Sequence, residues 1–312
     1  MSLMTRRGVL AAASAVTATG LLAACGGSDG PPTIVGLAQR DERLSLLAEA
    51  VVAADLVGTL NGAGPFTVFA PTNDAFVALL GELGLTKQQL FANRPLLTAV
   101  LTYHVLPARV LRAAVPAGRA ITTVQGGFFK VEAAGGGLVI TDGRNRRSNI
   151  IATDVEASNG VVHLIDRVIL PANRNIVETA QSLPQFSILV EAVLAANLQG
   201  ALSGPGPFTV FAPTNDAFAA LLGELGLTKQ ALLANTALLT SVLTYHVVPA
   251  RVLRAEVPVG TPITTLQGQT FTVGANLAIT DRRNRTSNIA ATDVFTSNGV
   301  IHVLDRVILP AA

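Results

Sequence analysis

The residues of this sequence that could do chemistry are few, and most occur twice. Tyr103-His104 returns 142 positions later as Tyr245-His246, and the two pairs contain both tyrosines and half of the four histidines. An exposed pair could contact a partner. A pair at the end of an apolar helix would be buried, with its polar atoms hydrogen-bonded internally. Apolar residues at helical spacing precede each pair and favour burial.

Metal binding and catalysis find little support in the sequence. His163 and His302 alternate with apolar residues, no two histidines have the spacing of zinc ligands, and the chain has one cysteine. No Gly-x-Ser-x-Gly elbow, Walker-type phosphate loop or His-Glu-x-x-His motif occurs. We therefore expect no cofactor, and we expect a protein that is not an enzyme.

Arginines cluster at two corresponding places. They are Arg144, Arg146 and Arg147 in the first cluster, and Arg282, Arg283 and Arg285 in the second. Both clusters follow a predicted strand, so they should lie on loops. Guanidinium groups bind carboxylates and phosphates well, and such loops suit an acidic polysaccharide, lipopolysaccharide or extracellular DNA. The alternative is a solvated loop whose arginines pair with the nearby aspartates.

The N-terminal segment is typical of an export signal. Residues 1–24 contain Arg6-Arg7, a short apolar stretch and small residues before the single cysteine, Cys25. Leu22-Ala-Ala-Cys25 resembles the lipobox of bacterial lipoproteins, which implies that Cys25 is acylated and anchors the chain to a membrane. Both a twin-arginine signal and an ordinary one fit the arginine pair. Residues 25–32 are rich in Gly, Pro and Ser, which predicts a flexible tether.

Composition limits the remaining classes of function. The 312 residues include 22 basic and 20 acidic ones, and loss of residues 1–24 removes Arg6 and Arg7, which leaves a balanced chain. A general affinity for nucleic acid is therefore not expected. Beyond the N-terminal segment no apolar run reaches the roughly 20 residues of a spanning helix. A single cysteine excludes an internal disulfide.

The chain is duplicated. The string PFTVFAPTNDAF covers residues 65–76 and occurs again at residues 207–218. When the two halves of the chain are aligned on it, most of the other positions are also identical. Residues 33–172 and 173–312 are therefore expected to form two copies of one domain. The second copy lacks three residues between the positions of Val131 and Leu138. This is where a hairpin tip tolerates a change in length.

The residue pattern of each copy predicts helices followed by strands, which is the arrangement of an α+β domain. Thr67–Ala70 should be a strand, Thr72 a helix N-cap, and Thr86 with Gln89 a capping box that the second copy lacks. A Leu-rich helix should then run through His104 to an end at Pro107. The strands predicted after it are Ile121–Val124, Phe128–Val131, Leu138–Thr141, Val161–Ile165 and Arg167–Leu170.

These features together resemble the fasciclin domain. The resemblance rests on the repeated string, the Tyr-His pair after its helix, and the closing segments at residues 158–171 and 297–310. It covers nearly all of residues 33–312. It implies two domains in tandem, each a β-sandwich wedge with helices packed around it, and a role in extracellular adhesion.

The resemblance also suggests adhesion residues. In animal members the Tyr-His region is linked to integrin binding, which maps to Tyr103, His104, Tyr245 and His246. An Asp-Ile position proposed for adhesion corresponds to Asp154-Val155 and Asp293-Val294, where valine replaces isoleucine. A structural alternative is an aspartate at a strand edge beside a buried valine.

These inferences predict an exported envelope lipoprotein, in the outer membrane, the periplasm or at the cell surface. We expect non-enzymatic adhesion to a matrix component, a polysaccharide, a surface protein or a second copy of the chain. The first alternative is a periplasmic accessory module that binds one envelope protein. A small-ligand carrier or an enzyme is less favoured.

Overall fold

A computed structural model describes residues 30–311, and in this range the chain forms two similar domains of helices packed on a β-sheet. Cys25 and the predicted signal segment lie outside the described residues. From Pro31 onward the two domains belong to one compact unit. The domain limits drawn from the sequence, 33–172 and 173–312, remain predictions.

The first domain mixes short helices and strands. Its helices are α1 (Ile34–Arg40), α2 (Ser45–Ala53), α3 (Val57–Leu60), α4 (Asn73–Leu83), α5 (Lys87–Ala92) and α6 (Arg94–Tyr103). Its strands are β1 (Phe66–Pro71), β2 (Val105–Leu106), β3 (Ala120–Thr122), β4 (Phe128–Ala134), β5 (Gly137–Thr141), β6 (Arg147–Ala157) and β7 (Gly160–Ile165). Short 3₁₀ helices cover Glu42–Leu44 and Arg112–Ala114.

The second domain repeats this order. Its helices are α7 (Ile176–Gln181), α8 (Ser187–Ala195), α9 (Gln199–Leu202), α10 (Asn215–Leu225), α11 (Lys229–Ala234) and α12 (Thr236–Tyr245). Its strands are β8 (Phe208–Pro213), β9 (Val247–Val248), β10 (Ile263–Thr264), β11 (Thr270–Val273), β12 (Ala278–Thr280), β13 (Thr286–Thr296) and β14 (Gly299–Leu304). Its 3₁₀ helices cover Pro184–Phe186 and Arg254–Glu256.

Helix boundaries follow local sequence chemistry. The Thr72 hydroxyl accepts the backbone N–H of Ala75 and begins α4, and Gly84 ends that helix with a φ of 64°, which glycine adopts without strain. The predicted capping box of Thr86 and Gln89 is confirmed. In the second domain Thr228 caps α11 without a reciprocal side chain, as expected.

Each sheet runs in an order that differs from the chain order. Among the described residues the first sheet has seven strands in the order β2-β1-β7-β6-β5-β4-β3. β1 pairs with β7 in parallel, and the other pairs are antiparallel. Phe69 on β1 lies 5.1 Å, ring to ring, from Phe129 on β4, although three strands separate β1 from β4 in the sheet. The sheet therefore folds back on itself, which confirms the β-sandwich wedge with its packed helices.

Strand β1 joins two cores. Val68 and Ala70 pack against α2, α4 and α6, whereas Phe69, which points to the opposite face, enters the interior of the folded sheet. The second domain repeats this division around Phe211. The repeated string thus builds the element that connects helices to sheet.

Three expectations about the elements are wrong. The strands do not all follow the helices, because β1, which was itself predicted as a strand, lies between α3 and α4. The Leu-rich helix ends at Tyr103, before Pro107, because Val105–Leu106 pairs with β1. Residues 167–170 are not a strand, because their backbone groups bond side chains: Ile169 N–H donates to His104, and Leu170 N–H to Asp142.

Candidate functional site

The Tyr-His pair of the first domain is buried. The Tyr103 hydroxyl donates to the carbonyl of Phe128 and accepts the N–H of Gly143 at 2.9 Å. His104 donates from Nδ1 to the Val100 carbonyl at 2.7 Å and accepts the Ile169 N–H at Nε2, 3.1 Å away. Every ring nitrogen and hydroxyl of the pair is thus occupied by the protein itself, and neither side chain can touch a partner in this conformation.

The second pair is arranged in the same way. Tyr245 donates to the Thr270 carbonyl at 2.8 Å. His246 donates from Nδ1 to Val242 at 2.7 Å and accepts from Ile308 N–H at 3.2 Å. Burial lowers the pKa of both His104 and His246 to about 4, since charging either ring in an apolar core is costly. Burial also raises the pKa of Tyr103. An adhesive role for these pairs stays a prediction.

His163 and Asp154 form a structural unit. Asp154 lies at a bulge in β6, where the register with β7 shifts, and its φ of 59° is one that aspartate tolerates better than most residues. Its N–H donates to His163 Nδ1 at 3.1 Å, and His163 Nε2 donates to the Val110 carbonyl at 2.9 Å. The Asp154 carboxylate accepts the Arg112 N–H at 2.8 Å. In residues 30–311 no cluster of three or more His, Cys, Asp or Glu is suited to hold a metal.

The corresponding aspartate of the second domain meets the first domain. Asp293 has the same bulge, with a φ of 60°, and accepts the Arg254 N–H at 2.8 Å. It also accepts a hydrogen bond from Lys130 Nζ on β4, at 2.7 Å. The Asp293 side chain is 2% exposed and that of Asp154 39%. One copy of this bulge is therefore engaged in a protein contact, and the other is open.

Aromatic residues complete this interdomain interface. Phe128 and Phe295 have their ring centres 4.9 Å apart, and the Arg251 guanidinium lies 4.3 Å above the Phe128 ring. The Asn145 amide bonds both backbone groups of Phe295, accepting its N–H at 2.7 Å and donating to its carbonyl at 3.1 Å. The interface thus pairs the β4 face of the first domain with the β13 bulge of the second.

The two copies differ at several of the residues that make this contact, among them Glu256, whose carboxylate accepts the Ala120 N–H at 3.4 Å. In the second domain, Thr270 and Thr272 occupy the positions of Phe128 and Lys130. In the first domain, Glu156 occupies the position of Phe295, and Ala114 that of Glu256. The faces left open consequently lack the rings and the lysine that hold the two domains together. Sequence reasoning missed this interface. The signal that could have revealed it was the set of differences between two otherwise similar copies.

The first arginine loop is organised by a buried aspartate. Asp142 accepts backbone N–H groups from Arg144, Arg146 and Leu170 at 2.9 Å each, and the Arg146 guanidinium donates to it at 2.7 and 3.0 Å. Arg146 also bonds both carboxylate oxygens of Glu82. Its charge is therefore neutralised within the protein. Arg144 and Arg147 make no ion pair with any described residue.

The second loop keeps the aspartate and changes the arginines. Asp281 accepts the N–H groups of Arg283, Arg285 and Leu309, between 2.8 and 2.9 Å. The Arg285 guanidinium pairs with Glu224, and Arg283 donates to the Pro310 carbonyl at 2.9 Å. Arg282 is exposed. Polyanion binding by either loop stays a prediction, and of the six arginines only Arg144 and Arg147 line the cleft beside the interdomain contact.

The interdomain contact of Asn145 has a matched test. Asn145 and Asn284 occupy corresponding turns with φ values of 61° and 57°, and only Asn145 bonds the other domain. Both positions accept glycine without backbone strain. We expect Asn145→Gly to lower the free energy of unfolding by about 1–2 kcal/mol more than Asn284→Gly, because two hydrogen bonds are lost. Denaturant unfolding of both variants measures the difference, and equal losses would show that this contact does not stabilise the pair.

The chain belongs to the fasciclin family. The fasciclin domain matches residues 42–171 and 184–310, most of each folded domain. Among its relatives is the transforming growth factor-beta-induced protein ig-h3 of Sus scrofa, 31% identical over 294 residues, which cover 91% of this chain and 41% of that protein. The chain thus spans about two fifths of that relative. No helix within residues 30–311 combines the length and apolarity needed to cross a bilayer.

Two further comparisons concern a bacterial relative and a solved structure. The cell surface glycolipoprotein MPB83 of Mycobacterium bovis is 32% identical over 155 residues, 46% of this chain and 66% of that protein. A solved FAS1 domain pair from the insect cell adhesion molecule Fasciclin I is 19% identical, with a TM-score of 0.43 over 86% of this chain and 97% of that one.

Proposed function

We propose that this protein is a non-enzymatic adhesion protein of the cell envelope, displayed on a lipid anchor. The observation that carries the proposal is the double use of one surface. In the second domain the aspartate bulge binds a protein surface through Asp293, and in the first domain the same bulge, with Asp154, is open to solvent. A surface that already serves protein contact within the chain is a good candidate for contact outside it.

The open bulge has the chemistry of a polar contact surface. The Asp154 carboxylate is fixed by the Arg112 N–H, so it presents a charge in one position. Beside it, Arg109 and Glu156 form an exposed ion pair at 2.9 Å. Val155 is half-buried and Ile151 is exposed. This combination suits a transient partner, because polar interfaces with few apolar anchors bind weakly.

One relative supports the proposed placement, because MPB83 is named as a cell surface glycolipoprotein. For this chain we propose the corresponding placement, with Cys25 acylated and left by cleavage as the new N-terminus, and with residues 25–32 as the tether. Two domains on one anchored chain would add avidity if both engage a surface.

The membrane anchor is tested by Cys25→Ala. Without its acyl acceptor the chain should leave the membrane fraction, because the lipid on Cys25 is the proposed anchor. The measurement is detergent partitioning and immunoblotting of cell fractions for wild type and variant. Undiminished membrane fractionation of Cys25→Ala would reject the lipid anchor and leave the fold-based proposal to be judged separately.

Adhesion is tested by complementing a deletion strain in sedimentation and biofilm assays. Wild type should restore clumping, Cys25→Ala should not, and Asp154→Asn should restore less than half. Asp74→Asn, an exposed carboxylate change elsewhere in the first domain, should behave as wild type. If deletion changes nothing and one envelope protein co-purifies in fixed stoichiometry, the chain is the accessory module that is the second candidate.

A further inference from the structure

A cleft opens beside the interdomain contact and does not belong to the surface proposed for adhesion. Its volume is about 750 Å³, within the usual range for small-ligand sites. The first arginine loop, the connection between the domains and the start of the second domain line one side. The bulged part of β13 lines the other. Because both domains contribute walls, the cleft exists only in the assembled pair.

Three arginines give the cleft its charge. They are Arg144, Arg147 and Arg174, and none of them forms an ion pair with a residue of the described chain. The other charged groups in the cleft are Lys130, Asp293 and Glu132, and Lys130 bonds Asp293 at 2.7 Å and Glu132 at 3.0 Å. These three groups sum to one negative charge, so with its three arginines the cleft has a formal net charge of +2 in a chain whose charges balance overall.

The Arg144 guanidinium is held beside the cleft at a cost in free energy, which a bound anion would reduce. Its Nε is buried and has no hydrogen-bond partner, the one such side-chain atom among the described residues. A buried donor left unpaired costs about 1–3 kcal/mol. Burial, and next the charge of Arg146, lower the pKa of Arg144, and Arg174 acts in the same direction. An anion bound in the cleft by the guanidinium groups of Arg144 and Arg174 would offset their repulsion.

We propose that this cleft binds an acidic oligosaccharide, with its carboxylate or sulfate on Arg144, Arg147 and Arg174. The remaining lining includes neutral hydrogen-bonding side chains, such as Asn173, Ser182 and Gln185, which suit sugar hydroxyls. A free phosphate would fill only a small part of 750 Å³. Single-stranded nucleic acid is disfavoured, since the aromatic ring in the lining, Phe295, is 2% exposed and offers no stacking surface.

The duplication predicts one such site per chain. Thr286 occupies the position of Arg147 in the second domain, and Arg283, at the position of Arg144, already donates to the Pro310 carbonyl. The use of this site as an adhesive contact rests on the proposed function. Binding of the sugar itself does not, so the two are measured separately.

The test is calorimetric titration of the full-length chain, purified in detergent, at low and high salt. The probes are a trigalacturonate, a sulfated disaccharide, the neutral galactose trimer and inorganic phosphate. We expect one site per chain for at least one acidic sugar, binding that weakens with salt, and no binding of the neutral trimer. Phosphate that binds as tightly as both acidic sugars would overturn the assignment to a sugar, as would absence of binding by both.

Matched double variants localise the site. Arg147→Gln/Arg174→Gln removes two exposed cleft arginines and should weaken binding at least tenfold. Arg40→Gln/Arg167→Gln removes the same charge from exposed arginines outside the cleft and should stay within twofold of wild type. If both double variants weaken sugar binding equally, the effect comes from overall charge, and the assignment of the site to this cleft is wrong. If Arg147→Gln/Arg174→Gln loses sugar binding and cells still clump, adhesion depends on the Asp154 surface and not on the cleft. If Asp154→Asn loses clumping and still binds the sugar, the two functions are separate.

Discussion

Asp142→Ala is expected to lower the free energy of unfolding by about 5 kcal/mol, the largest effect of a single substitution that we predict. The buried carboxylate accepts three backbone N–H groups and the Arg146 guanidinium. Alanine would leave these donors in a site too closed for water to replace all of the bonds. It would also leave Arg146 with only Glu82 and the Val168 carbonyl.

The duplicated chain supplies a matched comparison at Asp281. That carboxylate accepts three backbone N–H groups and no guanidinium hydrogen bond, since the Arg285 guanidinium bonds Glu224 instead. Asp281→Ala should therefore cost about 3 kcal/mol, less than Asp142→Ala by the worth of one charge-assisted contact. Urea unfolding followed by circular dichroism measures both variants against wild type.

The order of the two variants decides the interpretation. A larger loss for Asp142→Ala supports the guanidinium contact as the difference between the loops. A loss below about 1 kcal/mol in both variants would contradict the role of these aspartates as loop organisers, because even one orphaned buried donor costs that much. The same result would leave unexplained why both copies have the same spacing between the aspartate and the arginines that bond it.

Local features of the fold were predictable from the sequence. The strand and helix cap at Thr67–Thr72, the capping box at Thr86 and the hairpin tip after Val131 depend on residues close together in the chain, and all are confirmed. The family resemblance supplied the rest of the architecture, including the wedge. Periodicity alone gave no means of placing β1 beside β7, because that parallel pair joins segments about 90 residues apart.

The sequence did not predict where side chains, and not a neighbouring strand, accept the backbone hydrogen bonds of an extended segment. Residues 168–170 have the composition of a strand, yet their N–H groups bond His104 and Asp142, which lie distant in sequence. A pattern of apolar residues reports burial and does not report which acceptor a backbone group will find. The same limit applies to the second aspartate, since Asp154 and Asp293 are alike in sequence and only one is covered by Lys130.

Differences between the copies carried information that identity did not. Where both domains need the same side chain for their own fold, as at the Tyr-His pairs, the copies agree. Where one face is covered and its counterpart is open, some residues differ, as at Phe128 and Thr270 or Phe295 and Glu156, while the aspartate of the bulge is kept in both copies. A heterologous contact between identical domains could continue from chain to chain into a fibre. The polar residues on the open faces oppose that continuation and leave those faces for other partners.

Acidification is expected to destabilise the fold between pH 6.5 and 4 through His104 and His246. Their pKa is about 4 in the folded protein and near 6.5 when unfolded, so the unfolded chain binds more protons as the pH falls through this range. The stability that their neutral form provides is complete above pH 6.5, is lost as the pH falls, and changes no further below 4. By pH 5 each histidine should have lost about 2 kcal/mol, or about 4 kcal/mol together.

The hydrogen bonds of these histidines explain why the fold cannot adapt. Nδ1 of each ring donates to a carbonyl, and Nε2 accepts a backbone N–H from Ile169 or Ile308. A second proton would have to go on Nε2, where it would meet that N–H and remain buried. The comparison is guanidinium unfolding at pH 7.5 and 5.0 for wild type, His246→Gln and the double variant with His104→Gln. The single variant should lose about half of the stability difference between the two pH values. An undiminished difference in the double variant would assign the acid sensitivity to the carboxylates or to His302, whose pKa burial also lowers.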